Sequence, residues 1–321
     1  MKVTGVSIDE RTFALFLIAL SIIVGAACPP LARLFEPIAL PSLFLVVLFS
    51  LVPFARRAPR ELISVNRDVL RVLLWQLLIL PALVIAIGVI GRLPDQIISL
   101  LIVTACSGAL FASPALAALL ELDQGRSLQC MVLSTLAMPV SLYVFLSLHS
   151  LQGSVLDMDL EVYVLRIVIY LGLPAVLFIG YRLIDRHMTQ AARTSAEWVA
   201  RWAVVVSLAV FGIGMMKTVS ERLVTDPTQV AFFLVLTTLL CIGMLSLTTI
   251  VMHRFGLSDA LTAAIVSGFR NVGLGYALIG EMLGPDLAVY VGVGLLPVFT
   301  APLLMKLLAA RRAAQRDAHA T

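Results

Sequence analysis

The sequence predicts an all-α, polytopic membrane protein, and two observations lead to that prediction. Of the 321 residues, 60% are hydrophobic and only 13% are charged, whereas ordinary soluble domains carry roughly 25% charged residues. Windows of about 20 predominantly apolar residues, the length that crosses a hydrocarbon core of about 30 Å, recur ten times along the chain. A soluble domain of this composition would have too few polar side chains to cover its surface.

The ten windows define ten predicted transmembrane spans. The segments 92–95 and 284–285 between neighbouring spans are so short that the helices on either side must run antiparallel. The predicted limits are 12–28, 37–54, 70–91, 96–120, 127–149, 162–184, 198–217, 229–252, 259–283 and 286–309.

The orientation of the spans follows from the distribution of Lys and Arg. If the amino terminus is cytoplasmic, 17 of the 23 Lys and Arg residues fall on the inner side and 5 on the outer side. Cytoplasmic segments of membrane proteins carry such an excess of positive charge. We therefore expect an integral protein of a bacterial inner (plasma) membrane with both termini in the cytoplasm.

The one basic residue left over, Arg270, lies in the middle of the ninth span. A central arginine costs at least about 2.5–3.5 kcal/mol on insertion scales, so it is retained where a cavity or a partner uses it. Gly268, Gly273 and Gly275 surround it and weaken the helix at this point. We expect a break here, with Asn271 capping a second half-helix that continues through Leu278.

The fourth span carries a comparable interruption. Serine suits a helix cap and proline the first helical turn, so Ser113-Pro114 predicts the start of a half-helix in mid-span. Interrupted spans at matching positions of two halves are typical of inverted-repeat transporters, whose site lies where the two spans cross. The whole chain, 1–321, is then a single transporter domain, with one five-helix repeat at about 12–149, an inverted one at about 162–309, and spans four and nine crossing at mid-membrane.

Half-helix N-termini and Arg270 would put positive charge at this crossing, which predicts a small organic anion as substrate. The candidate substrate-binding residues are Arg270, Asn271, Ser113, Ser107, Pro114, Gly268 and Gly273.

At the same residues the chain resembles the bile acid:sodium symporter family. The likeness lies in Gln76 to Pro81 of the third span, in Cys106 to Ser113 followed by Ser134-Thr135, and in Gly268 to Leu274 of the ninth span. The resemblance implies a core bundle of spans 3–5 and 8–10 that moves against a panel of spans 1, 2, 6 and 7. In family members that couple to sodium, it also implies two ion sites behind the crossing.

The chain departs from the family pattern at most of these ion positions. Gln76 and Ser127 match ligand positions, whereas Ala112, Met131 and Val266 replace residues that the family pattern has there, and Arg270 stands where it has a glutamine. Hard cations need several oxygen ligands and usually negative charge, so sodium dependence is expected to be weak or absent, and no metal or other cofactor is predicted.

Two roles remain open for Arg270. Its guanidinium could occupy the region of a lost sodium site and hold the crossing together through Gln76 or backbone carbonyls. It could instead bind the carboxylate of the substrate as a bidentate donor.

The preferred function is therefore a secondary transporter of a small organic anion that works by alternating access. The alternatives are a sodium-coupled bile-acid-like symporter, an arsenite-type efflux carrier that would use Cys106, and a non-transporting membrane sensor. An intramembrane enzyme is not predicted, because the spans contain no paired Asp, Ser-His set or HExxH motif. The predicted partners are the organic anion and the lipid bilayer; no nucleic acid is expected, since the basic residues form no dense patch, and no obligate protein partner is evident.

Overall fold

The computed structural model describes residues 2–3, 6–7, 10–58, 64–120, 122–150 and 159–301. Apart from the two-residue strands β1 (Lys2–Val3) and β2 (Val6–Ser7), which pair antiparallel, the regular structure of this part of the chain is helical. The predicted all-helical class is confirmed.

The helices follow one another with short connections. Two of them, α3 and α7, contain a π-helical turn, Trp75–Ile79 and Val168–Gly172, and α2 and α9 each continue into a short 3-10 helix. Their bounds are α1 Glu10–Ala27, α2 Pro29–Leu51, α3 Arg67–Ile90, α4 Asp95–Cys106, α5 Ser113–Leu119, α6 Gln124–Ser150, α7 Leu160–Asp185, α8 Gln190–Thr225, α9 Pro227–Met252, α10 Leu257–Gly268, α11 Val272–Ile279 and α12 Pro285–Ala301.

Six helices of the described chain, α2, α3 and α6 to α9, are long and apolar enough to cross a membrane. The most apolar window of α7 is only 11% buried within the protein. A helix that leaves so much apolar surface uncovered needs lipid around it. The protein is therefore an integral membrane protein in character.

Two predicted boundaries differ from the structure. The segment 29–36, predicted to precede the second span, is helical, because Pro29 and Pro30 occupy the first turn of α2, where a missing N–H is no loss. The seventh predicted span, 198–217, is the centre of a longer helix, since α8 begins at Gln190, with Thr189 as its N-cap. Residues 302–309 of the tenth predicted span lie outside the described residues.

The helices pack in two groups. In the first group α8 packs along α1 and α2, and α7 packs on α2. In the second group α6 packs against α3, α4, α5 and α10, and α9 packs against α10. Helix α12 joins the second group, because the hydroxyl of Tyr290 hydrogen-bonds Thr104 at 2.9 Å and its ring packs edge-on against Phe233.

Both predicted helix breaks are present. Helix α4 ends at Cys106, and the chain resumes a helix at Ser113. Helix α10 ends at Gly268, and α11 begins at Val272 with Asn271 as its N-cap. The non-helical residues 107–112 of the first break lie next to the non-helical residues 269–271 of the second.

Candidate functional site

The two interrupted segments cross and hydrogen-bond each other as a short antiparallel bridge. Ala109 lies opposite Arg270. The amide of Leu110 donates to the carbonyl of Phe269 at 2.9 Å, and the amide of Asn271 donates to the carbonyl of Gly108 at 2.8 Å. Since lipid offers no hydrogen bonds, each break satisfies backbone groups that the other exposes.

Small residues allow the crossing to form. A Cβ placed on Gly108 would lie 3.1 Å from the Cα of Thr135, and one on Gly275 would lie 2.6 Å from Oγ of Ser107. The hydroxyl of Ser134 accepts a hydrogen bond from the amide of Ala109 at 3.0 Å. Helix α6 therefore supports the first break directly, and α11 packs against the end of α4.

Arg270 lies at the centre of the crossing and is 1% exposed. Its Nη1 donates to the carbonyl of Ser107 at 2.9 Å, and its Nη2 donates to the carbonyl of Gln76 at 3.1 Å. With the side-chain amide of Gln76 turned so that its oxygen faces the guanidinium, Oε1 also accepts from Nη1 at 2.8 Å and from the amide of Ala109 at 3.2 Å.

No carboxylate forms an ion pair with Arg270 among the residues that the structure describes. Its charge is instead balanced by carbonyl dipoles, including that of Ser107 at the C-terminal, negative end of α4.

Pro81 explains why the Gln76 carbonyl is available. In a π-helical turn the carbonyl of Gln76 would accept from the amide of residue 81, and in an α-helix the carbonyl of Leu77 would accept from that same amide. Pro81 has no N–H, so both carbonyls are left over. Arg270 satisfies Gln76, and the hydroxyl of Ser141 donates to Leu77 at 2.9 Å.

The side-chain amide of Asn271 has one group that caps a helix and one that has no hydrogen-bond partner. Its Oδ1 accepts from the amide of Leu274 at 3.2 Å, which confirms the predicted cap of the second half-helix. Its Nδ2 has no hydrogen-bond partner although the residue is only 6% exposed. A buried amide donor without a partner costs free energy unless something else binds it.

A cavity of about 330 Å³ lies between the two helix groups, and Asn271 and Arg270 are among its lining residues. Its walls are mostly apolar side chains of α1, α2, the first break with α5, α8 and α12. The polar and charged residues among those that line it are Ser50, Gln124, Arg201, Arg270 and Asn271. The described lining therefore contains two arginines and no acidic residue.

The length of the cavity can be read along α8. A Cβ on Gly273 would lie 2.8 Å from Cε1 of Phe211, so Phe211 marks the level of the crossing. Phe211 lies ten positions after Arg201 on α8, which is about 15 Å at 1.5 Å per residue. The cavity thus extends from the crossing toward the end of the molecule where α6 begins.

The cavity contains only part of the predicted binding set. Arg270, Asn271, Pro114 and Gly273 line it, as does Ala112. Ser107, Ser113 and Gly268 are not among its lining residues. The hydroxyl of Ser107 donates to Val103 at 2.7 Å, that of Ser113 has no partner, and Gly268 lies against the side chain of Leu245.

The remaining predicted ion positions are buried. Gln76 contacts Arg270, whereas Ser127, Met131 and Val266 are almost fully buried and lie outside the large cavity. The hydroxyl of Ser127 has no hydrogen-bond partner. No cluster of three or more His, Cys, Asp or Glu side chains suited to a metal occurs in the described part of the chain. Cys106, the residue on which an arsenite carrier would rely, is fully buried and does not line the cavity.

Sequence reasoning missed Gln124 and Arg201 as cavity residues. Both are polar residues near the ends of apolar segments, where the sequence pattern indicates only contact with water or lipid headgroups. Their meeting at one cavity depends on how α6 and α8 pack.

The fold and the site together define an integral membrane protein of apolar helices, with a guanidinium-bonded crossing of two broken helices and a cavity beside it. No known protein-family model matches the chain, and no curated protein matches it either.

Proposed function

We propose that the protein is a secondary transporter that carries a small organic anion by alternating access and does not couple to sodium. The observation that carries the proposal is the cavity at the crossing, where the unpartnered Nδ2 of Asn271 meets apolar walls and where the described lining residues include no acid.

The transporter architecture of the proposal has ten spans in two inverted repeats. The six long helices supply six spans, and four shorter apolar units, α1, α4 with α5, α10 with α11, and α12, supply the rest. The two broken units are the fourth and ninth, five spans apart, which is the arrangement that an odd-numbered inverted repeat requires.

The anionic group of the substrate binds at the start of α11. The first amides of this eight-residue helix carry partial positive charge, and the Nδ2 of Asn271 adds a donor that has no partner among the residues that the structure describes. Apolar side chains make up most of the remaining lining, so the body of the substrate is apolar.

Arg270 replaces a coupling ion in this proposal. Nη1 and Nη2 each donate to a backbone carbonyl oxygen, which favours the first of its two possible roles over a bidentate contact with substrate, although Nε has no partner among the described residues. Those carbonyl oxygens are ligands of the kind that hard cations take. A sodium ion about 4 Å from the guanidinium would be repelled by about 4 kcal/mol at an effective dielectric constant of 20, roughly a thousandfold in affinity.

Transport by purified protein in liposomes tests the proposal. We expect uptake of one or more apolar organic acids, with the same initial rate in sodium and in choline buffers. Arg33→Gln, which removes an exposed arginine, serves as the control for Arg270→Gln. Sodium-stimulated uptake that disappears in Arg270→Gln, with the variant still folded and Arg33→Gln unaffected, would show that Arg270 supports an ion site instead of replacing it.

Binding supplies an independent test. Any ligand that prefers the folded state raises its stability by mass action, by about 2.7 kcal/mol at a hundred times its Kd. We expect apolar monocarboxylates to raise the apparent melting temperature in detergent, and amines of matched shape to leave it unchanged. Stabilisation by the amines in place of the acids would contradict the proposed charge selectivity.

A further inference from the structure

The two ends of the molecule are joined by different polar contacts. Helix α9 runs from one end, near Gln229, to the other, near Met252. We call the first the Asp286 end, after the residue that Gln229 contacts, and the second the Arg126 end, after the arginine near the start of α6.

At the Asp286 end a single carboxylate collects donors from three helices. Asp286 accepts from Nη2 of Arg222 on α8, from Nε2 of Gln229 at 3.1 Å and from Nε2 of Gln96 at 3.0 Å. Its side chain is 15% exposed. Gln96, Gln229 and Asp286 belong to the second helix group, whereas Arg222 belongs to the first, so the bond from Arg222 joins the groups.

The same half of the molecule is closely packed between the groups. A Cβ on Gly292 of α12 would lie 2.7 Å from Cγ2 of Val219 and 3.2 Å from the carbonyl of Met215, both on α8. The hydroxyl of Tyr163 on α7 donates to the carbonyl of Pro139 on α6 at 2.7 Å. The two groups therefore touch along a seam that Arg222 and Asp286 close at its outer edge.

The contacts at the Arg126 end have a different pattern. Asp185 pairs with Arg56 at 3.7 Å and with Arg193 at 3.3 Å, within the first group. Arg126 pairs with Asp259 at 2.7 Å and with Asp68 at 3.5 Å, within the second group. Each set fastens one group to itself, and the cavity separates the groups in this half of the molecule.

We propose that the Arg222–Asp286 contact is a gate that holds the Asp286 end closed while the cavity is open toward the Arg126 end. This inference rests on the proposed carrier function, in which the two groups move as bodies. When the gate opens, Gln96 and Gln229 move with Asp286 and keep it hydrogen-bonded, so Arg222 is the one donor that this carboxylate loses. Arg222 is released at a partly exposed position, where water can solvate it.

The accessibility of the seam tests the gate without any substrate. Val219 lies in the seam and is 6% exposed, so Val219→Cys reports its opening to a membrane-impermeant maleimide. Cys28→Ser removes the exposed native cysteine, and the other three cysteines are buried. In this background we expect Asp286→Asn to raise the labelling rate by about fivefold, which corresponds to about 1 kcal/mol. The charge exchange Arg222→Asp with Asp286→Arg should return the rate toward that of the parent, since the two glutamine amides can present either oxygen or nitrogen.

A matched control comes from the ion pair between Lys217 and Glu36, at 2.9 Å, which joins α8 to α2 within the first group. Glu36→Gln should leave the labelling of Val219→Cys unchanged. The gate is refuted if Asp286→Asn does not raise the labelling rate, or if Glu36→Gln raises it equally. A protein that transports no organic anion but still shows the Asp286-specific increase would refute the carrier and leave the gate standing, so the two failures are distinguishable.

Discussion

Among substitutions at the crossing, Arg270→Gln should lower the stability of the protein most. The substitution removes the Nη donors from the carbonyls of Ser107 and Gln76, which lie in a fully buried environment. An unsatisfied buried acceptor costs about 1–3 kcal/mol, so the two together cost about 2–6 kcal/mol. Relief of the buried charge offsets part of this, because desolvating a guanidinium is itself unfavourable.

A graded series separates charge from geometry. Arg270→Lys keeps the charge but replaces a planar fork by a point charge that reaches the two carbonyls less well, so it should fall between the parent and Arg270→Gln. Arg201→Gln removes the other arginine of the cavity, which is exposed, and should change stability by about 1 kcal/mol or less, the most that an interaction of an exposed charge usually contributes.

The assay is thermal unfolding of the purified variants in one detergent, followed by tryptophan fluorescence. The expected order of apparent melting temperatures is parent, Arg201→Gln, Arg270→Lys and Arg270→Gln, from highest to lowest, with the first two nearly equal. An Arg270→Gln protein as stable as Arg201→Gln would refute the reasoning, because it would mean that the guanidinium does not hold the two broken segments together.

Two further variants test the crossing and the cap. Gly108→Ala should lower stability by about 1–3 kcal/mol, because its Cβ would lie 3.1 Å from the backbone of Thr135. Its control is Gly243→Ala, which has open space around it and should be neutral or stabilising by up to about 1 kcal/mol in the same thermal assay. Asn271→Asp should keep the cap to Leu274, and with it the melting temperature, but should abolish stabilisation by organic anions. Asn271→Ala should abolish that stabilisation and also lose about 1 kcal/mol of stability, because the cap is lost. Retained anion binding in Asn271→Asp would contradict the assigned site.

The helical architecture was predictable because its causes are local. A window of apolar residues indicates a membrane helix whatever packs against it, and the breaks after Cys106 and Gly268 follow from glycine, proline and an asparagine cap. The start of α2 was not predictable from Pro29, because proline can either interrupt a helix or occupy its first turn, and the sequence alone does not decide between the two.

The cavity was only half predictable because its causes are tertiary. Burial of Arg270 and the cap of Asn271 follow from their positions in an apolar span. Whether Ser107 and Ser113 face the cavity depends instead on the rotation of each half-helix about its axis. The role of Pro81 was equally hidden, because no pattern shows that the carbonyl it leaves free lies opposite an arginine 189 residues later.

If the protein is the proposed carrier, its tethered cation has a consequence for the direction of transport. A sodium ion that binds and leaves carries its electrochemical gradient into each cycle, whereas Arg270 would return to its starting place and contribute no net charge. An uncoupled carrier of a monoanion therefore moves one negative charge per cycle, and an inside-negative potential of 100 mV favours the outside by about 2.3 kcal/mol, or roughly 50-fold. In liposomes with a potassium-diffusion potential we expect export at inside-negative potential, reversal when the potential is reversed, and no effect of sodium on either. A distribution of the substrate that ignores the potential would mean that a compensating ion travels with it, and the proposal that Arg270 replaces a coupling ion would then be wrong.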